Sequence, residues 1–135
     1  MPVRLTAPQE TFVRWARVAR VATISPDGMP HVVPICPALH DGKVYFATPG
    51  TTRKARNLQA SPRIALAFDD YVEEWDALRG LMIQGRAKLI RRGLRWQELR
   101  DLLQEKYQQY PIVSPIVDGD VIVEVTIDRV AGDVS

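Results

Sequence analysis

The chain has 135 residues, a net charge of +2, 46% apolar and 25% charged residues, and one cysteine, Cys36. That length makes one domain, residues 1–135, and buries about two-thirds of its unfolded surface, enough for a true core. The composition excludes a wholly disordered chain. No apolar run approaches the ~18 residues of a membrane span, and a lone cysteine excludes an internal disulfide. The opening residues lack an apolar signal core, so the expected compartment is the cytoplasm. So small a charge gives no argument for nucleic acid.

Residues 8–20 read as a helix with Phe12, Val13, Trp15, Ala16 and Ala19 on one side and Arg14, Arg17 and Arg20 as a basic stripe. Its end overlaps a β-branched strand pattern over 18–25. Pro26-Asp27-Gly28 is a turn, because Pro presets φ and Gly accepts φ > 0. Residues 30–39 continue as one second strand. Its prolines at 34 and 37 cannot donate ladder bonds and demand a bulge or an edge. Asp41-Gly42 is a hairpin turn before a third strand over 43–48, which completes a three-stranded meander.

Pro49-Gly50-Thr51-Thr52 breaks the sheet and opens a helix that stops before Ser61-Pro62. A fourth strand spans 63–69, an acidic and aromatic loop 70–77, and a long fifth strand 78–90. A helix over 94–107 takes its apolar face from Leu94, Leu99, Leu102 and Leu103. A loop over 111–119, a sixth strand over 121–127 and a tail follow. Strands and helices do not alternate as βαβ units. This points to an antiparallel sheet closing into a small barrel with helices outside.

The most informative stretch is Thr48-Pro49-Gly50-Thr51-Thr52-Arg53-Lys54-Ala55-Arg56-Asn57-Leu58. The first N–H groups of a helix lack internal partners, and the dipole places positive potential there. Threonine hydroxyls and a lysine beside them suit a phosphate or carboxylate. Lys54 and Asn57, three apart, share a face, as do Arg53 and Asn57, four apart. A capped surface helix with a solvated charged side explains the same residues, and the two readings stand open. The spacing is not that of a Walker loop.

Other chemistry is sparse. His31 lies on the second strand and His40 beside a turn, with no acidic partners at metal-ligand spacing, so no metal is expected. No nucleophile elbow or Cys/His pair occurs, and Cys36 reads as a buried small residue of an apolar strand. Asp69, Asp70, Glu73, Glu74 and Asp76 read as a solvated acidic loop. Trp15, Trp75, Trp96, Tyr71, Tyr107 and Tyr110 read as core or interface. Arg86, Lys88, Arg91, Arg92 and Arg95 form a second basic stretch with little aromatic interleaving, which lowers a nucleic-acid reading. No catalytic residue is assigned; any redox chemistry falls to a cofactor.

The stretch 17–24, followed by Pro26-Asp27-Gly28-Met29-Pro30-His31-Val32-Val33-Pro34, resembles the opening of the pyridoxamine 5′-phosphate oxidase-like, FMN-binding split barrels. Lys54-Ala55-Arg56-Asn57-Leu58 with Ser61-Pro62-Arg63 resembles their phosphate-binding helix and next strand. The resemblance covers about residues 12–128. Within that superfamily, residues 69–75 and 105–111 resemble the flavin/deazaflavin oxidoreductase B group and its coenzyme F420-dependent subgroup.

The resemblance implies a mainly β (α+β) fold, a six-stranded antiparallel split β-barrel with a few flanking helices. It also implies a homodimer with cofactor grooves at the interface. The implied activity is an oxidoreductase moving hydride between bound coenzyme F420 or FMN and a small reducible substrate. It places Lys54 and Asn57 on the cofactor phosphate, helped by Arg53 and the Thr51/Thr52 end of the helix. Val33, Pro34 and Ile35 lie along the ring, Ala47 and Thr48 beneath it, and His31 near it. Trp75 closes the site from the partner, and His31, Tyr71 or water donates any proton. The rival readings are an FMN-dependent pyridoxamine-phosphate-oxidase-like protein, a non-catalytic flavin- or haem-binding protein, and a nucleic-acid-binding small barrel. Two departures stand out: Pro34 replaces a polar residue of some relatives, and the ending 130–135 lacks the aromatic or Arg-containing cover of others.

Overall fold

The computed structural model describes residues 3–134. Helix α1 (Ala7–Trp15) opens on a capping box: Thr6 Oγ1 accepts from Gln9 N–H at 3.3 Å, and Gln9 Oε1 accepts from Thr6 N–H at 2.9 Å. It ends at Trp15 rather than near residue 20. Ala19 and Val21 are fully buried and alternate with exposed Arg20, so burial recruits this segment into strand β1 (Ala19–Ile24). The expected stripe of Arg14, Arg17 and Arg20 on one helix therefore does not form.

After β1 come β2 (Pro30–Ile35), β3 (Ala38–His40), β4 (Lys43–Pro49), α2 (Arg53–Ala60), β5 (Arg63–Asp70), β6 (Arg79–Ile90), α3 (Leu94–Lys106), α4 (Tyr110–Val113) and β7 (Asp120–Asp133). A single 3₁₀ turn, Trp75–Ala77, lies in the acidic loop. The strands form one antiparallel sheet in the order β2-β1-β5-β6-β7-β4-β3.

The expected second strand is two strands, which makes seven instead of six. β2 pairs with β1 at one edge, β3 pairs with β4 at the other, and only Cys36-Pro37 separates them. The expected meander is thus two hairpins whose shared strand is broken where Pro37 lacks an N–H. Because its two edges are two residues apart in the chain, the sheet curls into a half-barrel. Cys36 lies at this break, half-buried, and not inside a strand. Lys106 Nζ fastens the break, donating to Pro37 O (2.7 Å) and to Ala16 O at the end of α1 (2.8 Å).

The expected tail is also strand: Arg129–Asp133 continues β7 along β6, pairing Gln84 with Arg129 and Gly80 with Asp133. The register shifts between Gln84 and Gly85, leaving Asp128 as the extra residue of a bulge. Its carboxylate takes two hydrogen bonds from Arg86, 2.9 and 3.0 Å. Gly85 is obligatory there, since a Cβ would sit 1.9 Å from Thr126 O.

Two cores lie on opposite faces of β4 and β7. Val44, Phe46, Val121, Val123, Val125 and Ile127 face the curled interior with α1 and α2. Tyr45 and Ile122 face α3, whose buried side is Trp96, Leu99 and Leu103, with Tyr107 just past its end. Leu94, expected on that side, is 77% exposed. Glu124, buried on the α3 face, takes hydrogen bonds from Arg95 (2.7 Å), Tyr45 (3.0 Å) and Lys43 (3.3 Å). Burial pushes its carboxyl up, but these three bonds and the Lys43 charge outweigh it and hold the group below its ordinary value. Among the described residues, no helix is long and apolar enough to cross a membrane.

Candidate functional site

Strand β4 delivers the chain to the start of α2. Thr52 caps the helix: its Oγ1 accepts from Ala55 N–H at 3.4 Å and donates to Pro49 O at 3.0 Å. A hydroxyl has one proton, so Thr48 Oγ1, 2.9 Å away, donates to Thr52. Thr48 is 3% exposed, and both hydroxyls are absorbed in holding the turn. Thr51 is exposed in the turn itself. With Ala55 N–H on the cap side chain and Arg56 N–H on Thr52 O (3.0 Å), the Arg53 and Lys54 N–H groups remain as the open donors of the helix start.

The first turn of α2 carries two cations. Arg53 is exposed and lines a depression with Asp27, Met29 and His31. Lys54 is half-buried and has no hydrogen-bond or ion-pair partner among the described residues. Burial alone lowers its ammonium pKa, with no carboxylate to restore it. A desolvated cation without a counter-charge costs free energy that a bound anion would offset.

Behind these cations the helix is locked to the sheet. Asn57 is 1% exposed, and its Nδ2 donates to Thr23 Oγ1 at 3.0 Å, itself 1% exposed. Asn57 thus faces β1, and the geometry gives it the task of holding α2 in place. Thr23 lies opposite His31 in the β1–β2 ladder. His31 Nδ1 is buried and has no hydrogen-bond partner among the described residues, a group that a ligand's donor or acceptor would complete. Thr23 belongs to no motif of the sequence. Its one signal is being a polar residue on the buried side of a strand whose other members there are Ala19 and Val21.

Alternation separates the other expected residues. His31, Val33 and Ile35 share the inner face of β2, with Ile35 in the core. Pro34 is exposed on the opposite face, across from Arg20. On β4, Thr48 shares the inner face with Val44 and Phe46, while Ala47 packs on the α3 side with Cys36. The structure therefore gathers Thr48, Thr51, Arg53, Lys54 and Asn57 around the start of α2, joins His31 to them through Thr23, and leaves Pro34 and Ala47 on outer faces. Trp75 is 71% exposed, its indole N–H donating to Tyr71 OH at 3.1 Å. Asp69 and Asp70 are held by Arg20 and Arg79. No group of three His, Cys, Asp or Glu among the described residues is placed to hold a metal.

Comparisons with known proteins agree on the fold. The conserved hypothetical protein Rv2991 from Mycobacterium tuberculosis is 27% identical, with a TM-score of 0.83 over 97% of this chain and 85% of that one. An F420 reductase is 20% identical, with a TM-score of 0.70 over 90% and 94% of the two chains. The haem storage protein HutZ from Vibrio cholerae is 15% identical, with a TM-score of 0.80 over 96% and 94%. A search of curated proteins returned no match. The family description for pyridoxamine 5′-phosphate oxidase matches residues 5–132. With nearly its whole length inside that match, and a curled antiparallel sheet to agree with it, the chain belongs to the pyridoxamine 5′-phosphate oxidase family.

Proposed function

We propose that this protein binds a flavin or deazaflavin, FMN or coenzyme F420, with the cofactor phosphate on the first turn of α2. On this reading it is an oxidoreductase that passes hydride between the ring and a small reducible substrate. The observation that carries the reading is Lys54, a half-buried cation with no counter-charge beside two open helix N–H groups. The unpartnered His31 Nδ1 and the apolar inner face of Val33 fit the neighbourhood of a ring. Lys54 and Arg53 would hold the phosphate, and Asn57 with Thr23 would position the helix that carries them. When bound, the ring supplies the hydride chemistry, and the protein supplies orientation and charge.

A second copy of the chain is the proposed partner. The outer face of β1, β2 and β5 is uncovered and carries an apolar patch, with Ile24 opposite Pro30 and Ala22 between Val32 and Ala65, flanked by Arg63 and by the Arg20–Asp69 ion pair. Ile24 is 40% and Val32 64% exposed. Pro30 and Pro34 obstruct strand addition at the β2 edge, so a copy would dock on this face.

The test is fluorescence titration of cofactor-free protein with FMN and with coenzyme F420. Saturable binding at one per subunit, weakened in Lys54→Ala, is expected. Binding of neither would remove the oxidoreductase reading while leaving the fold. A bound cofactor that no substrate or reductant ever turns over would indicate a storage role instead.

A further inference from the structure

The second basic stretch is divided by its partners. Arg86 is held by Asp128, and Arg95 by Glu124 and Tyr45. Arg91, between them, has no hydrogen bond or ion pair among the described residues. It follows the last residue of β6, and one of its terminal nitrogens, Nη1, lies 3.8 Å from where a Cβ on Gly50 would stand. Gly50 sits in the turn before the Thr52 cap, its N–H donating to Gly119 O at 3.1 Å. The fold therefore brings a guanidinium from the far end of β6 against the turn that begins α2.

Three cations without acidic partners, Arg53, Lys54 and Arg91, now stand at that turn. The carboxylate on the neighbouring strand, Asp120 opposite Pro49, is turned to the Val117 N–H at 3.0 Å and pairs with none of them. Like charges gathered without counter-charges repel, and anions relieve them. One phosphate on the first turn of α2 would engage Lys54, Arg53 and the open N–H groups. Arg91 lies beyond the turn and is left over. Its planar fork suits a second phosphate or a carboxylate.

We propose that Arg91 is an outer anion subsite that favours a cofactor carrying a further anionic group beyond the phosphate held by α2. This rests on the α2 reading given above. A cofactor that ends in a single phosphate does not reach the subsite. One whose chain continues into another phosphate or a carboxylate does.

The experiment compares FMN, FAD and coenzyme F420 by fluorescence titration of the wild type, Lys54→Ala and Arg91→Ala, with melting temperature as the folding control. Arg91 is exposed, so Arg91→Ala is expected to weaken FAD or coenzyme F420 about two- to fivefold, the scale of an exposed charge pair, and to leave FMN unchanged. The affinity of the extended ligand should also lose part of its salt dependence. Equal weakening of FMN, or no change with any ligand while Lys54→Ala weakens binding, overturns the subsite alone. Unchanged binding in Lys54→Ala overturns the α2 reading and the subsite with it.

Discussion

Asn57 and Thr23, 34 residues apart in the chain, meet through one side-chain hydrogen bond of 3.0 Å with both residues 1% exposed. That bond ties the helix bearing Arg53 and Lys54 to the strand facing His31. It joins parts of the site that come from separate segments.

Thr23→Val should therefore destabilise the protein by about 1–3 kcal/mol, because it leaves the Asn57 amide buried without its acceptor. Thr23→Val with Asn57→Leu should cost less than the sum of the single changes, since both partners are then apolar. Urea unfolding of the three variants measures this. Additive losses would mean the bond does not couple the two elements.

Lys54→Ala separates binding from stability. It should weaken FMN or coenzyme F420 binding by about 1–3 kcal/mol, the scale of a lost charge-assisted bond. The unliganded protein should unfold at the same urea concentration as the wild type or slightly higher, because a desolvated cation has been removed. A marked loss of stability would show that Lys54 has a structural partner instead.

Lys106 gives the pH dependence. Burial first, then repulsion from Arg17 and Arg14, lowers its ammonium from 10.5 to about 8, against an opposing effect of Cys36. Between these values the unfolded chain binds the proton and the folded chain does not, so stability should rise from pH 8 to about pH 10. Lys54 acts in the same direction. Above that range Tyr45 and Tyr110, each pushed to about 12 chiefly by burial, reverse the slope, because tyrosines ionise earlier in the unfolded chain. Urea midpoints at pH 8, 9 and 10 check the rise, and Lys106→Met should flatten it.

Gly85→Ala and Gly28→Ala should differ sharply. A Cβ at Gly85 would meet Thr126 O at 1.9 Å, a backbone atom fixed by the bulge, so a loss of about 3 kcal/mol or failure to fold is expected. Gly28, at φ +86° with nothing within 4 Å, should cost only about 1–2 kcal/mol of backbone strain. Thermal unfolding compares them, and similar losses would contradict the bulged register of β6 and β7.

Val32→Lys tests the proposed contact with a second copy. Sedimentation should show a dimer for the wild type at micromolar concentration and a monomer for the variant. A monomeric wild type would remove the second copy from the proposal.

Much of the architecture is legible locally. Proline and glycine turns at 26–28 and 41–42, the Thr51-Thr52 pair before α2 and the proline at 62 mark boundaries within a residue or two of those observed, with the structure choosing Thr52 as the cap. These signals are short-range: a ring that presets φ, a residue that accepts φ > 0, a hydroxyl three residues from an open N–H. Lys54 and Arg53 as a cationic first turn follow from the same local rules.

What required the tertiary structure is pairing. Residues 129–133 contain Gly132 and read as a tail, yet they are strand because β6 is long enough to pair with them. Residues 30–39 read as one strand, yet the curl of the sheet assigns their halves to opposite edges. Asn57 and Lys54 share a face by spacing. Only burial shows that one serves β1 and the other stands unpaired, and only the fold brings Arg91 to Gly50. Turns, caps and charges are legible from the chain alone, because these depend on neighbours along it. Strand partners and the exposure of each charge were decided by contacts between segments far apart in sequence.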